Sequence, residues 1–246
     1  EVADMQAVAD REAAAGKGPK ITIEQWDYRF YAEKVRKEKY DLDQAELKPY
    51  FQLDKMMEAM FDSAGRLYGM KFTENTGAVP VFHPDVRTFE VSRDGKVIGL
   101  FYLDNYARPG KRSGAWMTTY KDQNKLGNSN MILASNNNNF TKPAAGETTL
   151  ISLDDASTLF HEFGHAIHYY NYNITYPTLG ETPRDYVEFP SQVNENWLMT
   201  PYVLQKYAVH YKTGEPIPAA LLAKVEASDT FMQGFATTEY LASAIL

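Results

Sequence analysis

Apolar side chains recur at helical spacing towards both ends of the chain, whereas the middle carries short runs of β-branched and aromatic residues. The spacing predicts helices over residues 24–39, 45–68 (one helix, or two broken near Pro49), 192–211 and 219–246, with helical character already in residues 1–9. The middle runs predict short strands at 86–91, 97–103, 114–120 and 131–133. Arg93-Asp94-Gly95 is the predicted hairpin turn, and Asn136 to Asn139 is interpreted as a loop. The pattern therefore indicates a mainly α fold with a small β-sheet.

One predicted helix, from Ser152 to Tyr170, carries the most informative chemistry. Ser152 is followed three residues later by Asp155, which is typical of a capping box at a helix start. An apolar face at helical spacing follows, made of Leu159, Phe160, Phe163 and Ile167. Inside this segment His161 to His165 has the pattern H-E-x-x-H.

The spacing of this motif suits a catalytic metal ion. His161 and His165 are four positions apart, which places them about 40° apart around the helix axis, on one face. Their imidazoles can bind one Zn²⁺, and Glu162, about 100° further round, can reach a water on the metal as a general base. Structural zinc sites are usually closed by four Cys or His ligands, and this chain has no cysteine. The catalytic interpretation is therefore favoured.

A catalytic zinc needs a third protein ligand and one open position. Glu188 lies 27 residues after His161, which leaves room for a loop and a second helix that returns a carboxylate to the metal. Thr182-Pro183 is the predicted N-terminus of that helix. Periodicity does not separate Glu188 from three competing carboxylates, Glu181, Asp185 and Glu195.

The segment HEFGHAIH, followed by RDYVEFPSQVNENW, closely resembles the thimet oligopeptidase, oligopeptidase A and peptidyl-dipeptidase family of zinc peptidases. The resemblance covers essentially the whole chain, since residues 26–51, 82–91, 99–116 and 139–146 also look like family segments. VEFPSQ and NFTKPAAG look most like the bacterial dipeptidyl carboxypeptidase branch. The resemblance implies that Glu188 is the third zinc ligand. It also implies the zincin-like catalytic region of a neurolysin-like helical peptidase, incomplete at both ends.

The activity that this resemblance implies is hydrolysis of short peptides with one Zn²⁺, releasing dipeptides from the C-terminus. A zinc-bound water would attack the peptide carbon, and Glu162 would take its proton and pass it to the leaving amine. Two alternatives stay open: an endo-acting oligopeptidase of the same family, and an inactive zinc-binding fragment. The inactive fragment stays open because the family's oxyanion-stabilising segment, with its Tyr and His, is not found in these residues.

The organisation expected from this resemblance is part of one catalytic metallopeptidase domain. Its predicted parts are a helical region 1–75, a small sheet 80–140, zinc-binding helices 152–200 and a helical region 201–246. Neither end carries a helix-capping signal. We therefore expect N-terminal and C-terminal parts of a parent chain to be absent, and those segments to be partners of this one.

Further residues are candidates for supporting roles. His168 and Glu195 are candidates to contact a metal ligand, Glu195 through a free ring nitrogen, and the alternative for His168 is an ordinary core histidine. Gly114-Ala115-Trp116 is a predicted strand edge, small enough to admit a peptide backbone, and the alternative is an ordinary strand that approaches a helix closely. Arg184, and also Lys111-Arg112, are candidates to meet a substrate carboxylate.

Composition narrows the class of protein. The net charge of −7 and the absence of a basic stripe argue against nucleic acid as a partner. No run of 18 apolar residues occurs, so the sequence predicts no membrane span. The lack of cysteine excludes disulfides and thiolate ligands. We expect a cytoplasmic protein, with a periplasmic or exported location as the alternative.

Overall fold

The computed structural model of the chain describes residues 1–126 and 131–246. Within these ranges the fold is mixed α/β, with nine α-helices and a five-stranded sheet. The chain forms two compact units, one made of Glu1–Leu47 with Pro218–Leu246 and the other of Lys48–Ile217. None of the helices in the described ranges combines the length and apolar character that crossing a bilayer requires.

The helices and strands have the following bounds. The α-helices are α1 (Val2–Ala14), α2 (Tyr28–Tyr40), α3 (Gln44–Leu47), α4 (Leu53–Tyr68), α5 (Leu153–Tyr170), α6 (Phe189–Glu195), α7 (Pro201–Tyr207), α8 (Ala219–Ala227) and α9 (Gln233–Ile245). The strands are β1 (Met70–Glu74), β2 (Arg87–Arg93), β3 (Lys96–Tyr106), β4 (Trp116–Lys121) and β5 (Ile132–Phe140). Short 3-10 helices cover Lys48–Tyr50 and Pro177–Gly180.

The first unit is helical and has a small core of its own. Met5, Val8 and Ala9 of α1 pack with Tyr31 and Val35 of α2. Burying these apolar side chains is what holds the two helices together, since neither is long enough to be stable alone in water.

The second unit is a sheet in the order β1-β2-β3-β5-β4, packed against α4 and α5. Neighbouring strands are antiparallel except for the parallel pair β3–β5. Phe163 of α5 contacts Phe61 of α4, and both rings meet Phe72 and Phe101 on the sheet, with centroids 4.5–6.3 Å apart. This aromatic core holds α5 against the sheet. In the strand order, β4 lies at one edge of the sheet.

The middle of the chain contains more sheet than the sequence predicts. The turn between β2 and β3 is confirmed, with Asp94 and Gly95 both at positive φ (51° and 72°), as a type I′ hairpin requires. Strand β1 was not predicted, and it falls inside the region 1–75 that was expected to be helical. The loop interpretation of Asn136 to Asn139 is wrong, because these residues belong to β5.

The helix predictions for the second half are right in kind but too long. Residues 192–211 contain the end of α6 and all of α7, and residues 219–246 divide into α8 and α9. The predicted helix start at Thr182-Pro183 is also wrong, because α6 begins at Phe189 with Pro190 as its second residue. Proline suits the first helical turn, where its missing N–H is not needed.

Helix α5 begins at a complete capping box, as predicted. Ser152 Oγ accepts the N–H of Asp155 at 3.0 Å, and Asp155 Oδ2 accepts the N–H of Ser152 at 3.0 Å. Two N–H groups that the helix leaves unpaired are thereby satisfied, which fixes where α5 starts.

We expect Ser152→Ala to lower the free energy of unfolding by about 1 kcal/mol, the usual effect of losing an N-cap side chain. Urea unfolding followed by far-UV circular dichroism measures the difference. The exposed Ser113→Ala is the matched control and should have no effect. Equal stability of the two variants would contradict this role of the cap.

Candidate metal centre

Two imidazoles of α5 and one carboxylate from the segment before α6 converge on a common point. His161 Nε2 is 3.1 Å and His165 Nε2 is 3.2 Å from the same oxygen, Glu188 Oε2. One potential ligand atom from each of the three residues lies within 4.8 Å of the others. No other group of three or more His, Asp or Glu side chains converges in this way in the part of the chain that the structure describes.

This donor set fits a zinc ion. Donors about 2.0–2.1 Å from a tetrahedral zinc are separated from each other by about 3.3–3.4 Å, close to the observed nitrogen–oxygen distances. Two neutral imidazoles and a carboxylate are also a ligand set of catalytic zinc sites, which keep a fourth position open. His161, His165 and Glu188 can therefore hold a single zinc.

Glu195 fixes the orientation of the His161 ring. Its Oε1 accepts a hydrogen bond from His161 Nδ1 at 2.6 Å, and Ser157 Oγ donates to its Oε2 at 3.5 Å. With the proton on Nδ1, the lone pair of Nε2 faces Glu188. A carboxylate on the far ring nitrogen is the usual way in which proteins orient a metal-binding imidazole.

Glu188 reaches the two imidazoles from the N-cap position of α6. It closes a run of turns over residues 184–188. Ser191 Oγ donates to Glu188 Oε2 at 2.9 Å and to the Glu188 carbonyl at 2.9 Å, so the side chain and the backbone of this residue are both restrained. Of the alternatives left open by periodicity, Glu195 instead contacts His161 from its other side.

The close approach of α6 to α5 depends on a glycine inside the H-E-x-x-H motif. A Cβ on Gly164 would lie 2.7 Å from Ser191 Cα, 2.8 Å from Asn194 Cβ and 2.8 Å from the Pro190 carbonyl oxygen. Such distances are too short for real carbon contacts, so residue 164 has to be glycine for the two helices to pack this way.

Glu162 is a buried carboxylate next to these three residues, only 7% exposed. Burial raises its pKa to about 6, although the neighbouring His161 and the nearby backbone N–H of Met117 both act to lower it. Burial also lowers the pKa of His165 below its usual value. Both shifts follow from removing a charged group from water.

Two adjoining cavities open onto the centre. One, of about 510 Å³, is lined by β4 residues, Tyr169, Val187 and the three converging side chains together with Glu162. The other, of about 400 Å³, is lined by Asp154, Ser157, Thr158 and Glu195. Ala115, His161 and Glu162 line both.

The predicted substrate-binding segment lies next to these cavities. Ala115 lines both of them, directly before the edge strand β4. Gly114 is exposed, has φ +79°, and its carbonyl accepts the Asn139 Nδ2 proton at 2.6 Å. The backbone of this segment is thus held by β5.

The remaining predicted residues, His168 and Arg184, are not among the three converging side chains. His168 packs among Tyr169, Tyr172 and Tyr186, and burial lowers its pKa. Arg184 is exposed in the turn before Glu188.

Lys111 does not fit the role of a substrate contact. Its side chain is 3% exposed and pairs with Asp104 at 3.2 Å. The ammonium also donates to the carbonyls of Asp104, Tyr106 and Asn138.

Sequence reasoning missed three residues beside this centre: Met117 near Glu162, Ser191, which donates to Glu188, and Asn194, which joins α6 to α5. None has a signal of its own in the sequence. Ser191 and Asn194 are three and six positions after Glu188, a helical spacing that becomes informative only once Glu188 is known to precede a helix.

Comparison with known proteins agrees with this geometry. The model of the family described as peptidase family M3 matches residues 1–246. Dipeptidyl carboxypeptidase of Escherichia coli is 43% identical over 250 residues, which cover 100% of this chain and 36% of that protein. Oligopeptidase A of Escherichia coli is 36% identical over 237 residues, 94% of this chain and 34% of that protein. Thimet-like oligopeptidase of Dictyostelium discoideum is 31% identical over 212 residues, which cover 82% of this chain and 31% of that protein. The chain thus spans about a third of the length of these relatives.

We expect Glu195→Ala to weaken zinc binding about 10–100-fold, because the His161 ring loses the carboxylate that orients it. Competition with a chromophoric chelator measures the affinity. Glu195→Gln should bind at an intermediate level, since its amide oxygen still accepts the Nδ1 proton. The exposed Glu147→Gln serves as control. Zinc affinity unchanged in Glu195→Ala would rule out the orienting role.

Proposed function

Because the chain belongs to peptidase family M3, we propose that it carries the zinc centre of a peptidase that hydrolyses short peptides. The convergence of His161, His165 and Glu188, with the separate carboxylate of Glu162 beside them, carries the proposal. A zinc bound there would lower the pKa of water and polarise a peptide carbonyl. We also propose a zincin-like catalytic region, a single catalytic domain over residues 1–246 and a cytoplasmic location.

Glu162 has the position of a general base in this proposal. It is not one of the three converging donors, so its carboxylate is free to take a proton from the attacking water. As the carbon–oxygen bond forms and the carbon–nitrogen bond breaks, the same proton passes to the leaving amine. The nearby backbone N–H of Met117 favours the charged form of this carboxylate, which is the form that can accept the proton.

The edge strand β4 is the proposed binding element for the peptide backbone. In the described sheet β4 pairs with β5 on one side, and residues 115–119 line the cavity beside Glu162. An extended peptide can add to such an edge through main-chain hydrogen bonds, which do not depend on its side chains. This arrangement supports action on peptides of varied sequence.

Release of C-terminal dipeptides is the cleavage mode that we propose. The greater identity to a dipeptidyl carboxypeptidase, 43% against 36% for an oligopeptidase A, favours it. A cation also lies near the cavity, because the Arg112 guanidinium is 4.5 Å from the ring centre of Trp116, a residue that lines the cavity. Endo-cleavage as in an oligopeptidase is the second candidate, supported by the similarity to oligopeptidase A.

We predict that Glu162→Gln keeps zinc bound and lowers kcat about 10²–10⁴-fold, the usual contribution of a general base. The assay uses a fluorogenic peptide with the chain and any flanking sequence that its gene encodes. Zinc content is measured in the same preparation.

The control Glu181→Gln, an exposed carboxylate before the turn at 184–188, should retain both zinc and activity. Normal turnover by Glu162→Gln would remove Glu162 from the mechanism. A metal-free wild-type protein would remove the zinc centre itself.

Two peptides of one sequence, with a free and an amidated C-terminus, distinguish the cleavage modes. We expect the free acid to release its C-terminal dipeptide, and the amide to be cleaved about 10-fold more slowly or worse. The reason is that a hydrogen bond to a charged group contributes about 1.5–3 kcal/mol. Mass spectrometry of the products is the measurement. Equal cleavage of both peptides at internal bonds would establish the endo-acting mode instead.

A further inference from the structure

The short helix α6 carries most of what surrounds the proposed ligands. Glu188 is its N-cap, Ser191 donates to the Glu188 carboxylate, and Glu195 accepts the Nδ1 proton of His161. Yet α6 has only seven residues, and isolated helices shorter than about 12–15 residues are marginal in water. The position of α6, and of every group on it, must therefore come from contacts with α5.

One polar contact joins the inner face of α6 to the backbone of α5. Asn194 is 5% exposed, and its Nδ2 donates to the Phe160 carbonyl at 2.7 Å. In a regular helix that carbonyl also accepts the N–H of Gly164, and a carbonyl oxygen has two lone pairs. Asn194 thus uses the second lone pair, in the residue directly before His161.

The same asparagine occupies the space that Gly164 leaves open. Asn194 Cβ lies 2.8 Å from where a Cβ on Gly164 would be. The missing side chain on α5 and the amide on α6 therefore form one contact. This contact fixes the position of α6 along α5 and its rotation about its own axis. The Asn194 amide is bonded to the Phe160 carbonyl, and the two backbones are too close at Gly164 to slide past each other.

We propose that Asn194 is a positioning residue for the metal centre. By holding α6 on α5, it keeps Glu188 next to Nε2 of His161 and His165, and Glu195 next to Nδ1 of His161. It does not touch the metal and acts through Phe160 and Gly164. The inference rests on the proposed zinc centre, and it adds a residue that is neither a ligand nor a direct partner of one.

A neighbouring asparagine provides a matched control. Asn196 is exposed at the C-cap of α6, and its Nδ2 donates only within its own segment, to Gln192 O at 3.1 Å and Val193 O at 3.2 Å. Replacing either asparagine with alanine removes the same atoms, but only Asn194 connects the two helices.

The test compares Asn194→Ala, Asn194→Asp and Asn196→Ala by zinc affinity and by the visible absorption of the Co²⁺-loaded chain, which reports coordination geometry. We expect zinc affinity to fall about 10-fold or more in both Asn194 variants, as for other groups that orient a ligand. The Co²⁺ bands should shift in both, while Asn196→Ala matches wild type. Asn194→Asp has nearly the same volume but lacks the N–H donor, so it tests the hydrogen bond without emptying the space beside Gly164.

Circular dichroism of the metal-free variants separates misplacement of α6 from loss of the fold. If Asn194→Ala is unfolded, Asn194→Asp decides. Wild-type zinc affinity and unshifted Co²⁺ bands in a folded Asn194 variant would overturn the inference. A wild-type chain that binds no zinc would overturn the proposed function, and this inference with it. That result differs from a wild-type chain that binds zinc and a folded Asn194 variant that binds it equally well, which would overturn this inference alone.

Discussion

The whole site depends on the contact between α5 and α6 at Gly164. The two histidines come from one turn of α5, but the carboxylate that meets them comes from a different part of the chain, so its distance is set by how closely the two backbones approach. That approach leaves 2.7 Å between the absent Cβ of Gly164 and Ser191 Cα. A metal centre tolerates only a few tenths of an ångström in its ligand distances. Steric fit between two helices is therefore what brings two His and one Glu together at the proposed metal centre.

The parts of this molecule that could be predicted from sequence are those fixed by local geometry. The capping box at Ser152 and the turn at Asp94 and Gly95 need only residues that are close in the chain, and both occur as expected. The pairing of His161 with His165 belongs to the same class, since four helical positions fix it. Spacing alone did not select Glu188 among its neighbours. The resemblance to known peptidases selects Glu188, because a contact between residues 27 positions apart depends on how a loop and a second helix fold.

Misjudged elements depend on partners that are distant in the chain. Asn136 to Asn139 has the composition of a loop, yet it lies in β5 between β3 and β4. Asn136 and Asn137 pair with both neighbouring strands, which outweighs the weak strand preference of asparagine. The asparagine amides are partly satisfied by side-chain bonds across the strand. Asn137 Nδ2 donates to Trp116 O at 3.2 Å, and Asn139 Nδ2 to Gly114 O at 2.6 Å. β-propensity does not anticipate these bonds, since their acceptors come from a loop and an edge strand.

The side-chain amides of Asn137 and Asn139 also bear on the proposed peptide hydrolysis. They hold the backbone on either side of Ala115, at the point where the cavity meets the edge strand, and the backbone N–H of the next residue but one, Met117, lies near enough to Glu162 to lower the pKa of its carboxyl. A peptide added to β4 would lie on a backbone that is paired with β5 on one side and lies beside the proposed base, Glu162, on the other. Substrate and base would then be positioned by the same strand, so a shift of β4 would move both together. In the proposed mechanism, the distance between the scissile carbonyl and Glu162 would therefore depend on the sheet, while the distances among His161, His165 and Glu188 depend on the two helices.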